Sequence, residues 1–209
     1  MPSVAEPAIH PRLCEPGALE KLGKSWRAVG AERIDDVLVE GLTAEIAALL
    51  PLLPSVAQPV DHHEVTWPTT IELPMPLEPQ YPAAFYRVAH FLGERLPAVI
   101  ESVAGARYSL GNPFAIRVCG FCRGSFIDVK PAAAEGLAMF LWVAAPKWPA
   151  TWGAQLEARD ETGETVATFA PRAGALDLVT AGRYRVTLLE RPVRCWALRY
   201  DLFPVETSS

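Results

Sequence analysis

The stretch from Gly124 to Phe203 constrains the fold more than any other part of the chain. It breaks into the short apolar runs LAMFLWVAA, AQLEARD, TVATFA, ALDLVT, YRVTLLE and VRCWALRYDLF, with Gly, Pro, Asp and Thr between them. Runs this short and closely punctuated suit strands that reverse at tight turns, so the stretch predicts antiparallel strands in a barrel or sandwich. Upstream the period changes. Phe85, Val88, Ala89, Phe91, Leu92, Leu96, Val99 and Ile100 recur at helical spacing and predict one long helix from about Tyr81 to Val103. Pro97 should kink or split it, and Gly105 should stop it. Helices followed by a run of strands give an α+β class, an antiparallel barrel or jelly roll backed by helices.

Before the long helix the chain is less regular. Pro2, Pro7, Pro11 and Pro16 predict a loosely wrapped N-terminus. Leu19, Leu22 and Trp26 place a helix over Gly17–Val29, and Ile34 to Glu40 reads as a strand. Thr43 suits the N-cap of a helix running through Leu50, with Pro51 ending it. The proline-rich passage from Pro51 to Pro82 predicts a long loop or edge strands over His63–Trp67 and Thr70–Leu73. The expected organisation is one domain over residues 1–209, with an N-terminal part to residue 80, the supporting helix over 81–104 and the β core over 105–203.

The 209 residues are half hydrophobic and carry a formal net charge of −5, which argues against nucleic acid as the main partner. No apolar run approaches the roughly 20 residues that span a bilayer, so no membrane partner is expected. The first residues lack a basic start followed by an apolar core, and the expected compartment is the cytoplasm, with Cys14, Cys119, Cys122 and Cys195 reduced. Cys119 and Cys122 form a CxxC, but it follows the strand-like Phe114–Val118 and has no second Cys or His pair at zinc-finger spacing. It is read as an incidental pair on a strand.

Four successive segments resemble the prolyl-4-hydroxylase-type 2-oxoglutarate/Fe(II) oxygenases. They are Ile100–Leu110, Arg123-Gly-Ser-Phe-Ile127, Leu141-Trp-Val through Trp152-Gly-Ala-Gln-Leu-Glu157, and Phe169-Ala-Pro through Leu176-Asp-Leu-Val179. The resemblance covers about residues 80–203 and implies a double-stranded β-helix. The chemistry of that family needs two histidines and a carboxylate on one face of Fe(II). On this register the three places fall at Lys130, Ala132 and Tyr184. A lysine is protonated at neutral pH, alanine has no donor atom, and a tyrosine ordinarily titrates near about 10. Iron and 2-oxoglutarate are therefore not expected as cofactors. Ten residues beyond Tyr184 lies Arg194, where the family's carboxylate-gripping cation would stand.

The remaining candidates are weighed against plainer roles. His62 and His63 are adjacent, so on a strand they point to opposite faces, and His90 sits among apolar neighbours on the long helix. Trp148 and Trp152 lie in a proline-rich loop and either pack the barrel end or line a ligand groove. Arg117, Arg123, Lys130, Arg183, Arg185, Arg194 and Arg199 fall on or near barrel strands, and inward-facing members would make the cavity cationic. Asp35, Asp36 and Glu157 look exposed. These residues point to a catalytically degenerate oxygenase-like protein. Its ligand would be peptide-like or carboxylate-bearing, or a partner protein, taken up by Arg194, Lys130, Tyr184, Arg117, Trp148 and Trp152. Such a protein suits an accessory role in peptide or natural-product maturation, and exposed edge strands would allow a homodimer. Two alternatives stand beside this one. One is metal-independent acid/base chemistry by Lys130 and Tyr184; the other is an oxygenase whose iron ligands come from elsewhere in the chain.

Overall fold

A computed structural model describes residues 8–15, 17–39, 41–52, 58–60, 64–76, 78, 81–128, 136–143 and 147–205. The helices are α1 (Ala18–Val29), α2 (Leu42–Leu49), α3 (Ala83–His90) and α4 (Leu96–Ala104). The first strands are β1 (Ala31–Ile34), β2 (Gln58–Val60), β3 (Glu64–Glu72), β4 (Tyr108–Ser109), β5 (Ala115–Phe121) and β6 (Phe126–Asp128). The remainder are β7 (Leu137–Trp142), β8 (Leu156–Arg159), β9 (Thr165–Phe169), β10 (Leu176–Thr180), β11 (Tyr184–Val186) and β12 (Cys195–Pro204).

The predicted long helix forms as α3 and α4 joined by a wide π turn over Phe91–Arg95. Pro97 stands in the first turn of α4, where its missing N–H costs least, and the wide turn absorbs the misfit ahead of it. Gly105 closes α4 in the left-handed region at φ 74°, its N–H bonded to the Glu101 carbonyl. α1 matches its expected span. α2 does not start as expected: Gly41 rather than Thr43 is its N-cap, and the chain continues through Pro51 as a 3-10 turn over Leu50–Leu52. The strand expected at residues 34–40 lies earlier, because Asp36 turns the chain at φ 48° after Ile34. Arg172 holds that turn through Asp35 at 3.1 Å and Asp36 at 3.5 Å.

Hydrogen-bonded neighbours run β1-β10-β7-β12-β5-β3-β6-β11-β8-β9, and every pairing is antiparallel. β3 carries the path from one layer to the other, pairing with β5 over Trp67–Glu72 and with β6 over Glu64–Val65. Over Trp67–Glu72 it is the edge strand its prolines suggested, while its first residues pair on both sides, with β2 and β6. Pro68 is tolerated because over residues 67–72 the strand pairs on one side only among the described residues.

Strand alternation divides the apolar residues into two layers. Ile116 and Val118 of β5, Met139 and Leu141 of β7, and Leu198, Tyr200 and Leu202 of β12 pack under the helices against Phe85, Phe91, Leu96 and Ile100. The opposite faces of the same strands meet the second sheet. There Cys119, Phe121, Phe140, Trp142 and Ala197 pack against Ile127, Leu156, Ala158, Tyr184 and Val186. This second layer is the interior of the β-helix.

Candidate functional site

Along the interior runs a column of rings. Trp142 lies 5.8 Å from Phe121 and is stacked 5.8 Å from Phe140, and Phe140 meets Tyr184 edge-on at 5.5 Å. The four are adjacent because they take alternate inward places, Phe140 and Trp142 on β7, Phe121 on β5 and Tyr184 on β11. Tyr184 is buried, so the place where the resemblance puts the distal iron ligand is a packed position beside Phe140.

Arg199 closes the column. Its guanidinium lies 5.9 Å from the Tyr184 ring centre and 6.0 Å from that of Phe140, within the range of a cation–π contact. Arg199 shares the inward parity of Ala197 on β12, and Arg117 shares that of Cys119 on β5. Ala197 pairs with Cys119, so one step further along both strands brings Arg199 and Arg117 to neighbouring places on the inner face. Arg117 is 61% exposed and bonds Asp201 at 3.2 Å through one nitrogen. Two guanidinium groups thus stand at one end of the β-helix, over an aromatic floor.

Arg194 is not part of this group. It precedes β12 and is exposed, whereas Cys195 beside it turns inward and is fully buried. Alternation forces the choice: an inward Cys195 sends Arg194 outward. Burial pushes the Cys195 thiol up, away from thiolate formation. The sequence carried the signal for Arg199, which is two steps from inward Ala197, but the parity of β12 was needed to use it.

The tryptophan loop lies at the other end. β7 ends at Trp142, the loop follows, and β8 starts at Leu156, which pairs with Val186, while Tyr184 pairs with Ala158 further along. Trp148 and Trp152 meet edge-on at 5.2 Å, and Trp148 donates its indole N–H to the Gly153 carbonyl at 2.9 Å. Gly153 has φ 80°, and a Cβ there would overlap the Leu188 carbonyl oxygen, so the loop is clamped against the segment that follows β11. Both indoles are partly buried against the interior layer. This is the barrel-end packing role, apart from Arg199 and Arg117.

Between the sheets lies a polar group that sequence reasoning passed over. Asp177, fully buried on β10, accepts two bonds of 2.7 Å from the Arg33 guanidinium on β1 and one of 2.7 Å from the Trp142 indole. Burial pushes its pKa up, and the bonds and charge of Arg33 pull against that rise. Arg33 also donates to the Ala170 carbonyl at 2.8 Å and lies 5.0 Å over the Phe169 ring. β1 and β9 are the two ends of the strand path, with no ladder between them among the described residues, and this side chain spans the gap. A lone carboxylate in the apolar run Ala-Leu-Asp-Leu-Val was the available hint.

The other candidates have ordinary partners. His10 accepts the Arg12 N–H at 3.3 Å, and His90 lies 3.4 Å from Glu94 and edge-on to Phe114. Glu157 is not exposed as expected: its side chain is 13% exposed, gripped by Arg185 and bonded to Thr165 at 3.2 Å. Cys119 faces inward on β5 ahead of Phe121, and Cys122 directly follows the strand, in keeping with a strand-borne pair. Lys130, Ala132, His62 and His63 lie outside the described residues.

No protein-family profile matches the chain, and no curated protein is similar to it. Solved structures are. A prolyl-4-hydroxylase of Pseudomonas putida is 14% identical, with a TM-score of 0.65 over 90% of this chain and all of that one. A Trichoplax adhaerens prolyl hydroxylase, solved with a peptide fragment of the hypoxia-inducible factor, is 11% identical, with a TM-score of 0.67 over 88% and 89%. The chain has the 2-oxoglutarate-oxygenase fold. A further structure of that fold, HygX of Streptomyces hygroscopicus with nickel and 2-oxoglutarate bound, is 13% identical, with a TM-score of 0.61 over 88% and 87%.

That last structure corrects the expectation that metal and 2-oxoglutarate have no place in such a chain, because a protein of the same fold holds both. The donors described here do not by themselves suit an iron. Tyr184, where the resemblance puts the distal ligand, is buried against Phe140, and no group of three His, Cys, Asp or Glu is placed to hold a metal ion among the described residues. No helix among the described residues is long and apolar enough to cross a membrane.

Proposed function

We propose that this protein is a binding member of the oxygenase fold, catalytically degenerate as an oxygenase, whose β-helix mouth takes the carboxylate of a peptide-like ligand. Arg199 and Arg117 receive the carboxylate, and Tyr184 and Phe140 form the floor beneath it. The observation that carries this reading is the placing of Arg199 over the Tyr184 and Phe140 rings with Arg117 on the same inner face. Ring contacts on one side fix the orientation of the guanidinium, so less side-chain freedom is lost when a ligand arrives. A guanidinium presents parallel donors that match a carboxylate. The peptide held by the Trichoplax hydroxylase supports a peptide-like ligand for this fold.

Calorimetric titration tests the proposal, with 2-oxoglutarate, succinate, and a short peptide carrying either a free or an amidated C-terminus. The acids should bind and the amide should bind at least about tenfold more weakly. Equal binding of acid and amide would overturn the carboxylate site. Iron-dependent conversion of 2-oxoglutarate to succinate would overturn the binding role in favour of oxygenase catalysis.

A further inference from the structure

Two ion pairs join neighbouring strands on the inner face, and they are built differently. Arg33–Asp177 is bidentate, with both distances 2.7 Å, its carboxylate fully buried and its guanidinium largely so. Arg117–Asp201 is end-on through one nitrogen at 3.2 Å, with the two side chains 61% and 38% exposed. A buried, forked pair resists exchange, whereas an exposed single contact contributes little and yields readily to a competing anion. Asp201 occupies the inward parity of β12, two residues beyond Arg199, so its carboxylate stands at the mouth itself.

We infer that Asp201 is an internal competitor for the ligand carboxylate: it holds Arg117 in the free protein and is displaced when a ligand engages the guanidinium through its fork. This inference rests on the carboxylate-binding role proposed above. Displacement lowers apparent affinity by the fraction of molecules in which Arg117 is held, and a retained Asp201 also repels an incoming anion. The residue thus sets a threshold of affinity, so that weakly held monoacids are excluded and ligands with further contacts are accepted.

The test compares wild type, Asp201→Asn, Arg117→Gln and the double variant by calorimetry with succinate and with 2-oxoglutarate at fixed ionic strength. Asp201→Ser serves as a second removal of the charge. Removing the Asp201 charge should tighten binding by about twofold to tenfold. That gain should vanish in the Arg117→Gln background, because the competitor then has nothing to hold. If wild type binds and both Asp201 variants bind equally or more weakly, the competitor role is overturned and the carboxylate site stands. If neither wild type nor Asp201→Asn binds either acid, both fall together.

Discussion

Arg33 and Asp177 face each other across β1 and β10, 144 residues apart in sequence, with two nitrogen–oxygen distances of 2.7 Å. Removing one partner of a buried pair leaves the other charge unpaired in low dielectric, which costs about 3–5 kcal/mol. Asp177→Asn should therefore lower the unfolding free energy by about that amount in urea denaturation. Arg33→Met with Asp177→Leu should cost less than the sum of the single changes, because no charge is then stranded.

Glu32 is buried on the helix-facing side of β1, and burial raises its pKa, against lowering by hydrogen bonds from Arg33, Trp26 and Ser25. The raised value means that the fold disfavours the ionised form. Below the ordinary value of 4.5 the group is protonated in both states and costs nothing. As pH rises through that value towards the raised folded one, stability is lost. Glu32→Gln should thus raise Tm at pH 7 and leave it nearly unchanged near pH 4, as thermal unfolding at the two pH values will show.

Gly153→Ala should be destabilising by about 1–3 kcal/mol, since φ 80° strains any L side chain and the new Cβ meets the Leu188 carbonyl. The clamp of the tryptophan loop would loosen with it, so the indole fluorescence of Trp148 and Trp152 should shift towards that of solvent-exposed rings. An unchanged spectrum and unchanged stability would contradict the close approach.

Arg199→Gln should weaken binding of carboxylate ligands by about ten- to a hundredfold, because charge-assisted bonds carry about 1.5–3 kcal/mol. Arg194→Gln, at an exposed place ahead of β12, should change it little. Titration of both variants with 2-oxoglutarate separates the two arginines, and the opposite order of effects would restore Arg194 as the carboxylate residue.

The sequence by itself determined the α+β class, the strand-rich C-terminal part and the long helix with its break near Pro97. These follow from signals carried within a few residues: apolar spacing, turn residues, and the lost N–H of proline. The succession of segments was also enough to place the chain among oxygenase folds. Only the tertiary structure decided which cation faces inward, because one residue of strand parity separates Arg194 from a buried place and moves the role to Arg199. It also decided that Trp148 and Trp152 lie at the end away from Tyr184, and that the carboxylate in an apolar strand belongs to Arg33. Parity, strand ends and long-range charge pairs are properties of the ladder between strands, and no window of sequence contains them.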